Sequence, residues 1–146
     1  MIKDLFIEFE KCTGCRICEI ACSLYQKGVC SPIKSAIRII KWEKEGVDVP
    51  IVCQQCESPL CAAVCPSDAI FRDLRTGAML VNEERCVGCR MCIAICPFGA
   101  ASLDPDTGKM IKCNLCEGNP ACIKYCEPKA IQYLPADRAV YFKKKV

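Results

Sequence analysis

The sequence predicts an α+β fold of short strands and short helical turns arranged as a repeat. Three features carry that expectation. Sixteen of the 17 cysteines in the 146-residue chain fall into four spaced groups of four. A short extended segment precedes every group, and a similar run of small apolar residues leaves three of them.

In chain order, residues 5–9 form the first extended segment and lead to Cys12-Thr-Gly-Cys15-Arg-Ile-Cys18, with Cys22 following. Residues 23–52 are the longest spacer. Within it residues 36–44 alternate and are β-branched, Glu45-Gly46 signals a turn, and residues 47–52 return as a strand, which predicts a β-hairpin. The second group is Cys53-Gln-Gln-Cys56, Cys61 and Cys65-Pro66. Asp73-Leu-Arg-Thr-Gly77 reads as a turn, and Met79–Val81 as extended. The third group is Cys86-Val-Gly-Cys89-Arg-Met-Cys92 with Cys96-Pro97. Asp104-Pro-Asp-Thr-Gly108 repeats the turn, and residues 110–112 lead into Cys113-Asn-Leu-Cys116, Cys122 and Cys126. The exits are Cys65-Pro-Ser-Asp-Ala-Ile70, Cys96-Pro-Phe-Gly-Ala-Ala101 and Cys126-Glu-Pro-Lys-Ala-Ile131. The first group departs from this pattern, because Ser23 rather than proline follows Cys22.

Groups one and three have the C-x₂-C-x₂-C-x₃-C spacing by which bacterial ferredoxins hold [4Fe–4S] clusters. Three thiolates two residues apart wrap one cubane, while the fourth cysteine points into the following turn and reaches another cluster. Gly14 and Gly88 let the backbone pass close to inorganic sulfide. Groups two and four are wider in the middle, with Pro59 or Pro120 in the gap, and keep the same ligand logic. Zinc is the competing explanation, as a zinc-stabilised interaction module. It takes two cysteines from each of two knuckles, not three crowded on one loop. A disulfide framework needs an oxidising compartment and an even cysteine count; here the count is odd and no signal peptide is visible.

The absence of histidine excludes Rieske ligation and c-type haem attachment. No phosphate-binding glycine motif or nucleophile–base pair is visible, so the expectation is a chain without substrate chemistry of its own. The formal charge of +3 is weak support for nucleic acid, since four clusters at about −2 each would turn it to about −5. No apolar stretch approaches membrane-helix length, so direct membrane insertion is not expected, and the cytoplasm is the expected location. The hairpin reads either as a docking surface with Trp42 as anchor or as a flap over one cluster. Cys30 lies outside the groups and reads as a buried free thiol. Lys143, Lys144 and Lys145 form a solvated basic tail.

These motifs resemble the four-cluster ferredoxin-like subunits that accompany molybdenum and tungsten pterin enzymes of the dimethyl sulfoxide reductase type. Val49-Pro-Ile-Val-Cys-Gln-Gln-Cys56, the hairpin and the short length look most like the small subunits of tungsten aldehyde oxidoreductases. Similar subunits serve hydrogenases and carbon monoxide dehydrogenase, and a free-standing polyferredoxin is a further alternative. Spacing alone leaves open which groups pair. The resemblance implies nesting: an outer ferredoxin unit of residues 1–30 and 105–135, a hairpin at 33–52, an inner unit at 53–104 and a tail at 136–146. It implies four ligand sets. Cys12, Cys15, Cys18 and Cys126 hold cluster one, and Cys22, Cys113, Cys116 and Cys122 hold cluster two. Cys53, Cys56, Cys61 and Cys96 hold cluster three, and Cys65, Cys86, Cys89 and Cys92 hold cluster four. It implies an electron-transfer subunit rather than an enzyme, with a catalytic redox subunit and a further electron acceptor as partners.

Overall fold

The computed structural model describes residues 2–137, so the three tail lysines lie outside the described residues. Among the described residues the strands form four separate antiparallel pairs. The outermost pair joins β1 (Lys3–Ile7) to β8 (Ile131–Pro135), with Leu5 opposite Tyr133. β1 stops two residues short of the expected segment, because a 3₁₀ turn takes over at Phe9–Lys11.

α1 spans Ile17–Lys27, the longest helix of the described chain. Its length follows from the missing proline: with Ser23 after Cys22, nothing interrupts the backbone ladder. Ser23 is fully buried, donates to the Ile20 carbonyl and accepts the Ser31 N–H. The helix ends at Gly28 in the left-handed conformation, whose N–H closes on Leu24 at 3.0 Å. Beyond it the chain runs along the surface, so Cys30 is exposed, not buried as expected. Connecting segments of this kind run over the surface, where their side chains meet water.

The hairpin forms as expected, from β2 (Arg38–Trp42) and β3 (Val47–Ile51), with Ile39 opposite Pro50. Pro50 is tolerated because β3 pairs on one edge only. α2 (Leu60–Ala63), β4 (Ile70–Arg72), β5 (Met79–Val81) and α3 (Met91–Ile95) follow. β6 (Ser102–Leu103) and β7 (Met110–Ile111) make the last hairpin before α4 (Ala121–Lys124). α1 packs on α4 and α2 on α3, so a helix pair from the two ends of the chain brackets a pair from its middle. Prolines after Cys65 and Cys96 and within the group-four exit coincide with helices of only four or five residues.

The two D-x-x-T-G turns are built alike. Asp73 accepts the Arg75 N–H at 3.0 Å and Asp104 the Asp106 N–H at 2.9 Å. Each turn closes with a glycine N–H, Gly77 or Gly108, on the aspartate carbonyl at 2.8 Å.

Two apolar clusters form the core. Leu5, Ile37, Val52, Leu115 and Ile131 dominate one, and Ile70, Met79 and Met110 the other. Cys18, Cys22, Cys53, Cys113 and Cys122 are members of the first, and Cys92 of the second. The core is therefore made partly of the candidate ligands, which ties folding to metal binding.

Each cysteine loop turns through a left-handed residue just before its second cysteine: Gly14 at φ +65°, Gln55 at +49°, Gly88 at +70° and Leu115 at +54°. At Gly88 the need is twofold, since an added Cβ would also meet the Gly108 carbonyl oxygen at 2.6 Å. Gly28, by contrast, is left-handed with nothing within 4 Å. Gly88→Ala should therefore cost more than Gly28→Ala. The former should cost about 1–3 kcal/mol from backbone strain alone, plus the clash. Denaturation of the cluster-loaded protein followed by visible absorbance measures both, and equal costs would contradict the packing argument.

Candidate metal centres

The structure brings the grouped cysteines together in mixed sets. Cys65 lines one cavity with Cys86, Cys89 and Cys92. Cys126 lines another with Cys12, Cys15 and Cys18. Cys96 joins Cys53, Cys56 and Cys61 around a third. Cys22, Cys113, Cys116 and Cys122 are all buried; burial raises the pKa of Cys122, and each of the other three raises it further. Each trio from one loop thus meets one cysteine from a distant loop.

Local backbone geometry explains the arrangement. The left-handed residue in a loop turns its N–H back onto the preceding sulfur: Gly14 donates to Cys12 and Leu115 to Cys113. In the exits, left-handed Asp68, Gly99 and Lys129 close on Cys65, Cys96 and Cys126 carbonyls at 3.4, 3.2 and 3.1 Å. The Ala69 N–H then reaches Cys65 Sγ at 3.3 Å. Such N–H···S bonds stabilise thiolates that carry iron.

Electrostatics separates the sulfurs by burial. Burial, reinforced by the Glu19 carboxylate, pushes the Cys18 thiol up to about 12. Burial does the same to Cys113, pushed up to about 12 against the Leu115 N–H. Cys12, Cys56, Cys92 and Cys116 are raised as well, burial being the main cause in each. Burial also works against the Cys65 thiolate, but donors from Ala69, Ser67 and Ile70 outweigh it and lower its pKa. Raised thiols hold their protons at neutral pH, so iron must displace them, and assembly releases protons. Among the described residues no group of three or more Cys, Asp or Glu side chains is spaced for one metal ion. Four sulfurs gathered around one cavity yet not spaced for a single ion fit a polynuclear cluster instead. The all-thiolate donor set and inward N–H groups fit [4Fe–4S] chemistry in particular.

The sets adjoin one another. Cys18 lies within electrostatic reach of Cys122, Cys113 of Cys53, and Cys92 of Cys61. The hairpin covers the Cys12 cavity, which Ile39 and Pro50 help to line. This is the flap expected as one of two alternatives; Trp42 nevertheless stays 46% exposed.

Three supporting residues carry no motif. Glu19 is buried on α1, takes the Ile39 N–H at 2.6 Å and meets Arg16 at 2.8 Å, fastening the hairpin over the first set. Gln55 is buried, donates to the Cys113 carbonyl at 3.0 Å and accepts the Met79 N–H at 2.7 Å, so it ties group two to group four and to β5. Lys112 brings its ammonium to 2.9 Å from Cys53 Sγ. Burial works against that ammonium, but Cys53, Cys61 and Cys96 outweigh it and raise its pKa. Nothing in the cysteine spacing marked any of these roles.

Residues 45–133 match the model of the 4Fe-4S dicluster domain. The chain is 39% identical over 122 residues to the aliphatic sulfonate oxidoreductase, polyferredoxin-like subunit, of Pyrococcus furiosus, covering 84% of this chain and 70% of that one. It is 36% identical over 152 residues to the B subunit of the anaerobic dimethyl sulfoxide reductase of Escherichia coli, covering 90% and 73%. Among solved structures it resembles a subunit of the active site complex BamBC of benzoyl coenzyme A reductase. There the TM-score is 0.56 at 23% identity over 99% of this chain and 87% of that one, a likeness of fold.

Gln55→Leu removes both amide bonds and leaves a buried carbonyl and a buried N–H unsatisfied. The expected loss is on the order of 2–5 kcal/mol, read as a lower denaturation midpoint and faster bleaching of visible absorbance. An unchanged midpoint would remove Gln55 from the account of how the loops are joined.

Proposed function

Since the chain belongs to the 4Fe-4S dicluster domain family, we propose that it relays single electrons through four [4Fe–4S] clusters to or from a tungsten or molybdenum pterin oxidoreductase. The chain is an electron-transfer subunit of an oxidoreductase complex, not its catalytic one. The observation that carries the relay is the adjacency of the sets: one to two through Cys18 and Cys122, two to three through Cys113 and Cys53, three to four through Cys61 and Cys92. Bound clusters supply one-electron exchange, and the protein supplies spacing, burial and hydrogen bonds.

In this reading cluster one takes Cys12, Cys15, Cys18 and Cys126, and cluster two takes Cys22, Cys113, Cys116 and Cys122. Cluster three takes Cys53, Cys56, Cys61 and Cys96, and cluster four takes Cys65, Cys86, Cys89 and Cys92. Convergence on shared cavities supports sets one, three and four, and the electrostatic coupling of four buried sulfurs supports set two. The division into an outer unit (1–30 and 105–135) around an inner one (53–104) draws support from the β1–β8 pairing and the two helix pairs. The tungsten or molybdenum partner is supported by the kinship with subunits of a sulfonate oxidoreductase and a dimethyl sulfoxide reductase. A reducing cytoplasm suits a protein whose 17 cysteines are all unpaired with one another. Among the described residues no helix is long and apolar enough to cross a membrane.

Anaerobically prepared protein should contain about 16 iron and 16 sulfide per molecule. It should exchange electrons with viologen dyes while oxidising no organic substrate alone. Stoichiometric zinc with little iron, or aldehyde turnover by the pure protein, would end this reading. Cys65→Ala should damage the cluster of Cys86, Cys89 and Cys92 first, giving a three-iron cluster or an empty site, and leave the cluster of Cys53, Cys56 and Cys61 with four ligands. Electron paramagnetic resonance of the variant decides it; loss confined to the group-two cluster would mean uncrossed ligands.

A further inference from the structure

Lys112 is a half-buried cation whose nearest charged partner is sulfur. Its ammonium lies 2.9 Å from Cys53 Sγ, and it lines the same cavity as Cys53, Cys56, Cys61 and Cys96. Among the described residues no carboxylate pairs with it. A lysine drawn partly out of water is favoured by a compensating negative charge. Here that charge comes from the thiolates. The backbone places it: Ile111 and Cys113 face the core on one side of the extended segment, so Lys112 points to the other.

Two other groups open with a cation just before their first cysteine, and neither is used this way. Lys11 pairs with Glu8 at 2.7 Å, and Arg85 reaches the Asp68 carbonyl. The first set has carboxylates nearby, Asp48 beside Cys12 and Glu19 beside Cys18, but each is paired with a cation, Lys41 at 3.8 Å and Arg16 at 2.8 Å.

We infer that Lys112 raises the potential of one cluster by stabilising the reduced state of the site held by Cys53, Cys56, Cys61 and Cys96. Reduction adds one negative charge to the cluster. A fixed cation touching a ligand sulfur in a partly buried site favours that more negative state. The N–H···S bond withdraws charge from the thiolate and acts in the same direction.

The inference rests on the ligand sets proposed above, and the experiment separates the two. Cluster-loaded wild type, Lys112→Met and Lys112→Arg are titrated potentiometrically with electron paramagnetic resonance detection. Cys56→Ser identifies the signal of the third set. In Lys112→Met that signal alone should become at least tenfold harder to reduce, a shift of about 59 mV for one electron. Lys112→Arg, which keeps the charge, should recover most of the shift. No shift, an equal shift of all four signals, or an equal shift in the arginine variant would each overturn the inference. Should Lys112→Met fail to assemble that cluster, wild type labelled with nitrogen-15 lysine replaces it. A lysine nitrogen coupling on the third-set signal supports the contact, and its absence overturns it. Wild-type protein without four iron–sulfur signals would instead overturn the ligand sets themselves.

Discussion

The fold depends on meeting at a distance: each cavity needs three sulfurs from one loop and a fourth from a loop far away in the sequence. Cys126 must travel to Cys12, Cys15 and Cys18, and Cys65 must reach Cys86, Cys89 and Cys92. The β1–β8 pair brings the ends of the described residues together so that the first meeting can happen. α1 against α4 and α2 against α3 serve the same end, because each helix carries or adjoins a travelling cysteine. Elements this short have little stability of their own, since helices below about 12 residues and isolated two-stranded hairpins are marginal in water. They persist because the sulfurs and the small apolar clusters around them are shared.

Backbone conformation does much of the aiming. Left-handed residues recur at one position in every loop and at one position in three exits. Glycine fills the loop position in groups one and three, where a Cβ would strike Asp48 or the Gly108 carbonyl. Gln55 and Leu115 fill it in groups two and four and accept the strain. Both are buried, and Gln55 forms two hydrogen bonds that hold it there. Cationic side chains tie the loops together: Arg72 donates to the Cys56 carbonyl, Lys109 to the Cys86 carbonyl and Arg38 to the Gly99 carbonyl.

The charged groups near the sulfurs are unevenly distributed, and burial makes that unevenness matter. The carboxylates of Glu19 and Asp48 by the first set are paired with Arg16 and Lys41, while the ammonium of Lys112 by the third has sulfur as its partner. In water such charges would be screened within about 8–10 Å, but beside buried sulfurs they act at close range. Chemically similar clusters can acquire different potentials from these few side chains.

The cysteine spacing, the wide second and fourth loops and the two D-x-x-T-G turns were legible in the sequence because each is local, set by residues within a few positions of one another. So was the hairpin, whose strands are adjacent in the sequence and alternate in polarity. The long helix of the first group was not predicted: Ser23 was read only as a departure from the repeat, and the missing proline is what lets the helix run on to Lys27. The pairing of groups was not legible from spacing, because every group offers the same three-plus-one pattern and either pairing satisfies it. Resemblance suggested the nested choice, and the geometry of the cavities favours it. Cys30 was misjudged because an isolated cysteine carries no signal of whether the backbone around it runs inside or outside. Lys11, Arg85 and Lys112 occupy the same place before their groups and look alike in the sequence. Only the tertiary structure distinguishes Lys112, since the face of an extended segment that meets another loop's sulfurs is decided by packing between distant parts of the protein.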